Sequence, residues 1–165
     1  MSSKTREFAL IVAGGKGTRI KSKLPKQFLE LNGKPVLIHT IESFLRYDAN
    51  IVIILVLPED DFVIWDQIIA KHNFKHPLKV VKGGESRFQS VKNGLNAIED
   101  DTGLVAIHDG VRPLVSEDII AASFRLAKVH HSGVAAVRLK ESIRMTDHDS
   151  TKAVDRSRFR IIQTP

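Results

Sequence analysis

The chain has 165 residues, of which 42% are hydrophobic and 27% charged, and its formal net charge is +6. This length suits one domain, no apolar run approaches the roughly 20 residues of a membrane span, and the N-terminus lacks a secretory signal, so we expect a cytoplasmic protein without a membrane partner. Cysteine is absent, which excludes disulfides, and the dispersed cations and scarce aromatic residues favour small phosphorylated ligands over nucleic acid.

The first predicted element is an apolar run, Phe8 to Ala13, which indicates a strand buried on both faces. The next residues, Gly14 to Arg19, join three glycines to two cations, and Lys26 adds another cation. Glycines leave backbone N–H groups open to an anion, so this turn suits the phosphates of a nucleoside triphosphate. The spacing excludes the dinucleotide fingerprint, which needs glycine where Ile20 lies, and it also excludes the P-loop. A plain connection from strand to helix would account for one glycine only.

Strands and helices then alternate along the chain. Apolar spacing predicts helices over Val36–Leu45, Asp60–Lys71, Phe88–Ile98 and from Ser116 to about Val129. Apolar runs predict strands over Asn50–Leu57, Leu78–Val81, Gly103–Ile107 and Gly133–Val137, and Lys26–Leu31 is predicted to be a short extended piece. This order predicts an α/β fold with a mainly parallel sheet.

In such sheets ligands bind beyond the carboxyl ends of the strands. Three loops that follow strands carry glycines, cations or an acid: Gly14–Arg19, Gly83–Arg87 and His108–Arg112. We therefore predict that these three loops lie along one rim of the sheet.

The remainder of the chain, residues 138–165, lacks helical periodicity and any long apolar run. We predict two extended polar segments, Lys140–Met145 and Thr151–Ile162, with a hairpin around Asp147–Ser150. Because a hairpin with so little apolar surface is unstable alone, we expect it to pack on another chain or on further protein.

Charged residues of the predicted rim suit nucleotidyl transfer, which depends on positioning and on stabilising charged oxygens. Arg19 and Lys26 can hold phosphates and offset charge in the transition state. Asp109 directly follows a buried strand and is the natural ligand for Mg²⁺, which binds few carboxylates together with substrate phosphates. The alternative for Asp109 is a turn or helix-capping role.

Other polar residues near the rim receive weaker assignments. Arg87 and Ser90 lie at a helix start, where they can read a ribose or a base edge, or only solvate the helix terminus. His108 is assigned a structural role, and Arg112 is assigned to pinning its loop through backbone carbonyls.

Taken together, the motifs stand in the order and spacing of one family. They are Ala13–Arg19 with Pro25–Gln27, Gly83–Arg87 with Ser90 and Val91, His108–Pro113, and Val154–Arg156 with Gln163–Pro165. Through them the whole chain resembles the 2-C-methyl-D-erythritol 4-phosphate cytidylyltransferase family. The resemblance implies a Rossmann-like three-layer α/β sandwich, of the nucleotidyltransferase or GT-A-like type, with an extended β-arm. It also implies that a substrate phosphate oxygen attacks the α-phosphorus of CTP with Mg²⁺ bound, releasing pyrophosphate in the non-mevalonate isoprenoid pathway.

The resemblance further implies roles for single residues. Arg19 and Lys26 match the catalytic pair, and Asp109 matches the metal-binding aspartate. Arg156 matches the arginine that orients methylerythritol phosphate from a partner subunit, and Ser142, where the family usually has threonine, is assigned to the same substrate. The implied nucleotide-binding residues are Ala13, Gly14, Gly15, Gly17, Gly83, Arg87 and Ser90.

The same resemblance divides the chain into three parts. They are a nucleotide-binding α/β domain (1–138), an extended dimerisation arm (139–160) and a return to the main domain (161–165), and they imply a homodimer. Gly14 stands where many members have alanine, a change that the loop should tolerate because it needs small residues. Since the family continues beyond Pro165 with further substrate-side and metal-side residues, we expect low activity from these 165 residues alone.

Three other functions stay open on the sequence. A ribitol 5-phosphate cytidylyltransferase would share the loops and differ in its polyol contacts. A non-catalytic nucleotide-binding protein of the same fold predicts the loss of Arg19, Lys26 or Asp109, and all three are present. A nucleic-acid binder would retain DNA or RNA tightly and with strong salt dependence.

Overall fold

The computed structural model describes residues 5–14, 24–99 and 102–162 of the chain. They fall into two compact units, Met1–Gly133 and Val134–Pro165, and each is described by itself. None of the helices in these described ranges has the length and apolar character needed to cross a membrane.

The first unit is an alternating α/β structure. Its strands are β1 (Glu7–Val12), β2 (Glu30–Leu31), β3 (Lys34–Pro35), β4 (Val52–Leu57), β5 (Lys79–Lys82) and β6 (Leu104–Asp109). Its helices are α1 (Val36–Tyr47), α2 (Phe62–Lys71), α3 (Arg87–Asn96) and α4 (Glu117–His130), with 3-10 turns at Lys26–Phe28 and Glu59–Asp61. Four strands form a parallel sheet in the order β5-β4-β1-β6, and β2 pairs antiparallel with β3.

The register of the sheet places the carboxyl ends of its strands level with one another. Val12 of β1 is paired with Val56 of β4 on one side and with Asp109 of β6 on the other, and Leu57 of β4 is paired with Lys82 of β5. The described residues that follow these strands therefore line one edge, as predicted for Gly83–Arg87 and for the loop after β6, while residues 15–19 of the first predicted loop lie outside the described residues. We call this edge the carboxyl rim; its described parts are residues 13–14, 58–61, 83–87 and 109–113.

Helices cover both faces of the sheet, which gives the predicted three-layer sandwich. On one face β1 and β4 pack with α1, α2 and α4 in a buried cluster that includes Ile11, Leu37, Phe44, Leu55, Trp65 and Phe124. On the other face Leu10 and Val56 lie against α3, where a Cβ added to Gly94 would come within 2.7 Å of Leu10 Cδ1. Glycine at this position therefore lets the helix pack closely on the sheet.

Two of the helices begin at serine caps. The Ser86 hydroxyl accepts a hydrogen bond from the Gln89 N–H at 3.1 Å at the start of α3, and Ser116 accepts from the Ile119 N–H at 3.4 Å at the start of α4. These bonds satisfy N–H groups that the first turn of a helix leaves without a partner. The start of α4 at Ser116 agrees with the helix predicted from that residue.

Three predicted elements are wrong in detail, and one of them, the extended segment predicted over Thr151–Ile162, is interrupted by a 3-10 turn at Arg156–Arg158. The segment predicted as extended from Lys26 contains a 3-10 turn, Lys26–Phe28, because Gln27 and Phe28 both become buried. The strand predicted over Gly133–Val137 as a further member of the alternating series is instead β7 (Ala136–Arg138). It pairs antiparallel with β10 (Arg160–Ile162), and all of its residues are exposed.

The second unit consists of short exposed strands. Besides the pair of β7 and β10, β8 (Arg144–Asp147) pairs antiparallel with β9 (Ser150–Ala153), which confirms the predicted hairpin. His148 in its turn has a φ of 43°, and the Ser150 hydroxyl donates to the Asp147 carbonyl at 3.1 Å. Within residues 134–162 none is buried.

Candidate active site

A buried serine brings small residues of the carboxyl rim together. Ser90 on α3 is 4% exposed, and its hydroxyl accepts a hydrogen bond from the Gly84 N–H at 3.0 Å. A Cβ added to Gly83 would lie 3.2 Å from Ser90 Oγ, and one added to Gly14 would lie 3.9 Å from the same atom. Three residues predicted to bind the nucleotide, Gly14, Gly83 and Ser90, therefore lie side by side, although they come from three separate parts of the sequence.

Asp109 at the end of β6 lies between two arginines. Arg87 donates to its Oδ1 from Nη2 at 3.0 Å and from Nε at 3.3 Å, and Arg112 donates to its Oδ2 from Nε at 3.0 Å. Burial alone would raise the pKa of Asp109, but the hydrogen bonds and charges of the two arginines outweigh it and hold the pKa below its usual value. The carboxyl group is therefore ionised across the neutral range.

The Arg112 guanidinium also takes part in the loop after β6, because it pairs with Asp109. The sequence suggested that this side chain would pin the loop through backbone carbonyls, which stays a prediction. The Arg112 carbonyl contacts His108, whose Nε2 lies 3.0 Å away and is the donor because a carbonyl can only accept. His108 is 5% exposed with its ring edge-on to Phe44, and burial lowers its pKa, so the structural role predicted for it is confirmed.

Two hydroxyl groups of α1 donate hydrogen bonds to backbone carbonyls in the loop that follows β6. The buried Thr40 hydroxyl donates to the Gly110 carbonyl at 3.0 Å, and the Ser43 hydroxyl donates to the Pro113 carbonyl at 3.3 Å. Sequence reasoning missed both residues. The two residues of each pair are 70 positions apart in the sequence, so no local sequence pattern predicts the contact.

Gly110 makes the loop fit against the end of β1. Its N–H donates to the Val12 carbonyl at 2.8 Å, and a Cβ added to it would lie 2.7 Å from Ala13 Cβ and 3.0 Å from Leu37 Cδ1. Any side chain at this position would force a shift. The close packing fixes the path of the loop that carries Asp109 and Arg112.

The remaining predicted site residues of the first unit are placed as follows. Ala13 is buried, and its N–H extends the sheet by donating to the Val56 carbonyl at 2.9 Å. Lys26 lies exposed on the 3-10 turn whose next two residues are buried. The assignments to Gly15, Gly17 and Arg19 fall outside the described residues.

In the second unit the two predicted substrate-positioning residues are both exposed. The Arg156 guanidinium donates to the Lys140 carbonyl within the same unit, and Asp155 accepts from the Ser157 N–H at 2.9 Å in the turn that carries Arg156. Ser142 lies between β7 and β8.

Asp109 can supply one of the ligands that a Mg²⁺ ion would need. Among the described residues, no group of three or more His, Cys, Asp or Glu side chains could hold a metal ion. A carboxylate offers about four lone-pair positions, so the three arginine contacts leave room for a cation on an ionised group. Mg²⁺ commonly uses one or two carboxylates and completes its shell with water and substrate phosphates, so one rim carboxylate is a suitable donor set.

Comparison with known proteins agrees with the motifs. Residues 8–165 match the family model described as IspD, 2-C-methyl-D-erythritol 4-phosphate cytidylyltransferase. The chain is 45% identical over 160 residues to the 2-C-methyl-D-erythritol 4-phosphate cytidylyltransferase of Bacteroides thetaiotaomicron, spanning 97% of this chain and 73% of that protein. It is 47% identical over 163 residues to the protein of the same name in Porphyromonas gingivalis, spanning 98% and 72%.

Solved structures agree with the sequence relatives. The 4-diphosphocytidyl-2C-methyl-D-erythritol synthase of Anaerococcus prevotii superposes with a TM-score of 0.78 at 28% identity, spanning 98% of this chain and 69% of that chain. The sequence and structural matches both extend over the two units described above.

Proposed function

The chain belongs to the 2-C-methyl-D-erythritol 4-phosphate cytidylyltransferase family, and on that basis we propose that its carboxyl rim holds CTP and Mg²⁺ for transfer of the cytidylyl group. The observation that carries the proposal is the convergence of Ser90 with its glycines and of Asp109 with its two arginines on that one rim. In the reaction, an oxygen of the methylerythritol phosphate attacks the α-phosphorus of CTP. The bond from this phosphorus to the bridging oxygen breaks, and pyrophosphate leaves.

The nucleoside is assigned to the small residues beside Ser90. Gly14 and Gly83 bring backbone rather than side chains to the surface, so a flat base can approach closely, and the adjacent Ala13 is assigned to the same ligand. The Ser90 hydroxyl fixes the Gly84 backbone, which keeps this surface in one shape before the nucleotide arrives. Gly15 and Gly17 are assigned to the same ligand.

The triphosphate is assigned to the charged part of the rim. Asp109 would hold Mg²⁺, and the bound ion would neutralise part of the triphosphate charge. Arg87 keeps Asp109 ionised and oriented from one side. Lys26, with Arg19, is assigned to the charge that develops on the transferring phosphoryl oxygens, where a preorganised cation lowers the barrier.

The polyol phosphate is assigned to Arg156 and Ser142, reaching the rim of a partner subunit in a homodimer. Supporting this proposal, residues 134–162 include no buried residue, and such short strand pairs are not stable without further packing. The enzyme is proposed to act in the cytoplasm, and the absence of cysteine agrees with a reducing compartment.

Pyrophosphate release tests the proposed function. The assay uses enough protein to detect the low activity expected of these 165 residues, with CTP, Mg²⁺ and either methylerythritol phosphate or ribitol 5-phosphate. We expect release that requires methylerythritol phosphate, stops when the metal is chelated and returns when Mg²⁺ is restored. Faster release with ribitol 5-phosphate, or release that persists after chelation, would contradict the proposed substrate or the proposed metal.

A further inference from the structure

We infer that Asp61 is a positioning residue that fixes Lys26 at the carboxyl rim through a buried hydrogen bond to the neighbouring Gln27. The inference rests on the catalytic role proposed above for Lys26. It adds a residue that belongs to none of the motifs in the sequence.

The contact itself is short and shielded from water. The Gln27 side-chain amide donates from Nε2 to Asp61 Oδ2 at 2.8 Å, across 34 residues of sequence. Gln27 is 2% exposed and Asp61 is 7% exposed. A hydrogen bond to a carboxylate is among the stronger kinds, and exclusion of water strengthens it further.

The turn around Lys26 is held at two adjacent points. Phe28 is buried in the cluster formed with α1, and Gln27 is held by Asp61. The turn is closed by the Phe28 N–H donating to the Pro25 carbonyl at 2.9 Å and the Leu29 N–H donating to the Lys26 carbonyl at 3.3 Å. Lys26 is therefore an exposed side chain on a fixed backbone, and only its own rotamers remain free.

The other end of the contact is part of the rim. Asp61 ends the 3-10 turn that follows β4, and its N–H donates to the Pro58 carbonyl at 3.0 Å. Pro58 in turn borders the proposed nucleotide surface, because its Cδ would lie 4.0 Å from a Cβ on Gly14. The hydrogen bond thus links the turn carrying Lys26 to the loop beside the nucleotide.

A purely structural role for Asp61 is the competing explanation, and the geometry disfavours it. Asp61 lies in the 3-10 turn that runs into α2, and its side chain makes no capping hydrogen bond to that helix. Its carboxyl group is turned to Gln27 instead, although burial raises its pKa and so opposes its charge. The side-chain hydrogen bond of Asp61 therefore stabilises the turn that carries Lys26 rather than the start of α2.

Four variants test the inference. Asp61→Ala removes the acceptor, Asp61→Asn keeps an acceptor oxygen, and Asp66→Ala makes the same charge change at an exposed position on α2, outside the rim. Lys26→Ala supplies the background in which positioning no longer matters. For each variant, kcat and the KM for CTP are measured as ratios to the parent chain.

We expect Asp61→Ala to lower kcat by about tenfold to a hundredfold, because small misplacements of a catalytic group have effects of that order, with a nearly unchanged KM for CTP. Asp61→Asn should recover most of the loss, and Asp66→Ala should match the parent. In the Lys26→Ala background, Asp61→Ala should change kcat by less than about twofold, because residues that act as a unit are not additive. Equal losses in both backgrounds would overturn the inference.

Amide hydrogen exchange separates failure of this inference from failure of the proposed function. In Asp61→Ala, exchange at Phe28 and Leu29 should accelerate while the amides of β4 keep the parent rates. Unchanged exchange at Phe28 and Leu29 would overturn the link, and accelerated exchange throughout β4 would show a general structural role instead. If Lys26→Ala has the parent rate, the proposed role of Lys26 fails, and the exchange result still decides the link.

Discussion

The carboxyl rim and the second unit hold their functional candidates in opposite ways. At the rim, the supporting side chains Thr40, Ser90 and His108 are all buried. Among residues 134–162 none is buried. The guanidinium groups of Arg144 and Arg156 donate hydrogen bonds to the carbonyls of two exposed residues, Thr151 and Lys140. Shape is thus imposed on the rim by the core, whereas in the second unit it rests on exposed hydrogen bonds, each of which contributes little. Substitutions of rim supports should therefore affect stability and activity together, and substitutions in the second unit should affect activity alone.

The largest expected effect comes from Lys26→Ala. This substitution removes a proposed catalytic side chain and leaves the buried side chains that support the rim unchanged. We expect kcat to fall about a hundredfold to a thousandfold, as for other preorganised transition-state donors, with the melting temperature unchanged because Lys26 is exposed. Steady-state kinetics and thermal unfolding measure the two quantities. Lys75→Ala is the matched control, since Lys75 is an exposed lysine in the connection ahead of β5. A variant as fast as the parent would remove Lys26 from the mechanism.

The next effect is on a rim support, Gly110→Ala. The new Cβ would meet Ala13 Cβ at 2.7 Å, and overpacking of this kind costs about 1–3 kcal/mol in the free energy of unfolding. Chemical denaturation measures the loss, and the displaced Asp109 should lower activity as well. Gly14→Ala is the control for stability, because its Cβ would find only ordinary contacts from 3.9 Å. Equal stability of the two variants would show that the rim is not tightly packed.

Arg156→Ala should have a smaller effect, and it should change activity without changing stability. We expect the KM for methylerythritol phosphate to rise about tenfold, because the substitution removes one charge-assisted contact to the substrate phosphate. The melting temperature should not change. Arg158→Ala, an exposed arginine of the same 3-10 turn, is the control. If Arg156→Ala unfolds the protein at a lower temperature and leaves KM unchanged, the contrast between the two regions does not hold.

The smallest expected effect is a pH dependence at Asp61. Burial raises the pKa of Asp61 in the folded state above its unfolded value, so the folded state binds this proton more tightly. Stability from this group is then greatest at low pH and falls as the pH rises through the folded pKa. The side chain in Asp61→Asn is never charged. The free energy of unfolding of this variant, minus that of the parent, should therefore be most positive at neutral pH and should decrease towards about pH 4. Urea unfolding at both pH values checks the sign, and a constant difference would contradict it.

Much of the fold follows from sequence because its signals are local. The apolar runs that become β1 and β4 are buried on both faces, and the alternation with helices gives the parallel sheet and its rim directly. The Asp147–Ser150 hairpin follows from polar, extended segments in the same way.

The supports of the site could not be predicted in this way. Thr40 contacts a residue 70 positions away, and Gln27 contacts one 34 positions away, so neither contact leaves a periodicity in the sequence. The pairing of Arg112 with Asp109 was not predicted, because a sequence shows that a cation follows Asp109 and not where its guanidinium points. The turn at Lys26 was missed because burial of Gln27 and Phe28, a tertiary effect, sets its conformation.

The central claim is that one rim of the sheet binds a metal-loaded CTP, and backbone amide exchange with and without CTP and Mg²⁺ tests it most directly. The account predicts slower exchange at Gly83–Ser90 and at Asp109–Arg112 when both ligands are present, and loss of that protection in Asp109→Asn. Protection confined to other parts of the chain, or protection at the rim that is indifferent to Mg²⁺ and to Asp109, would contradict it.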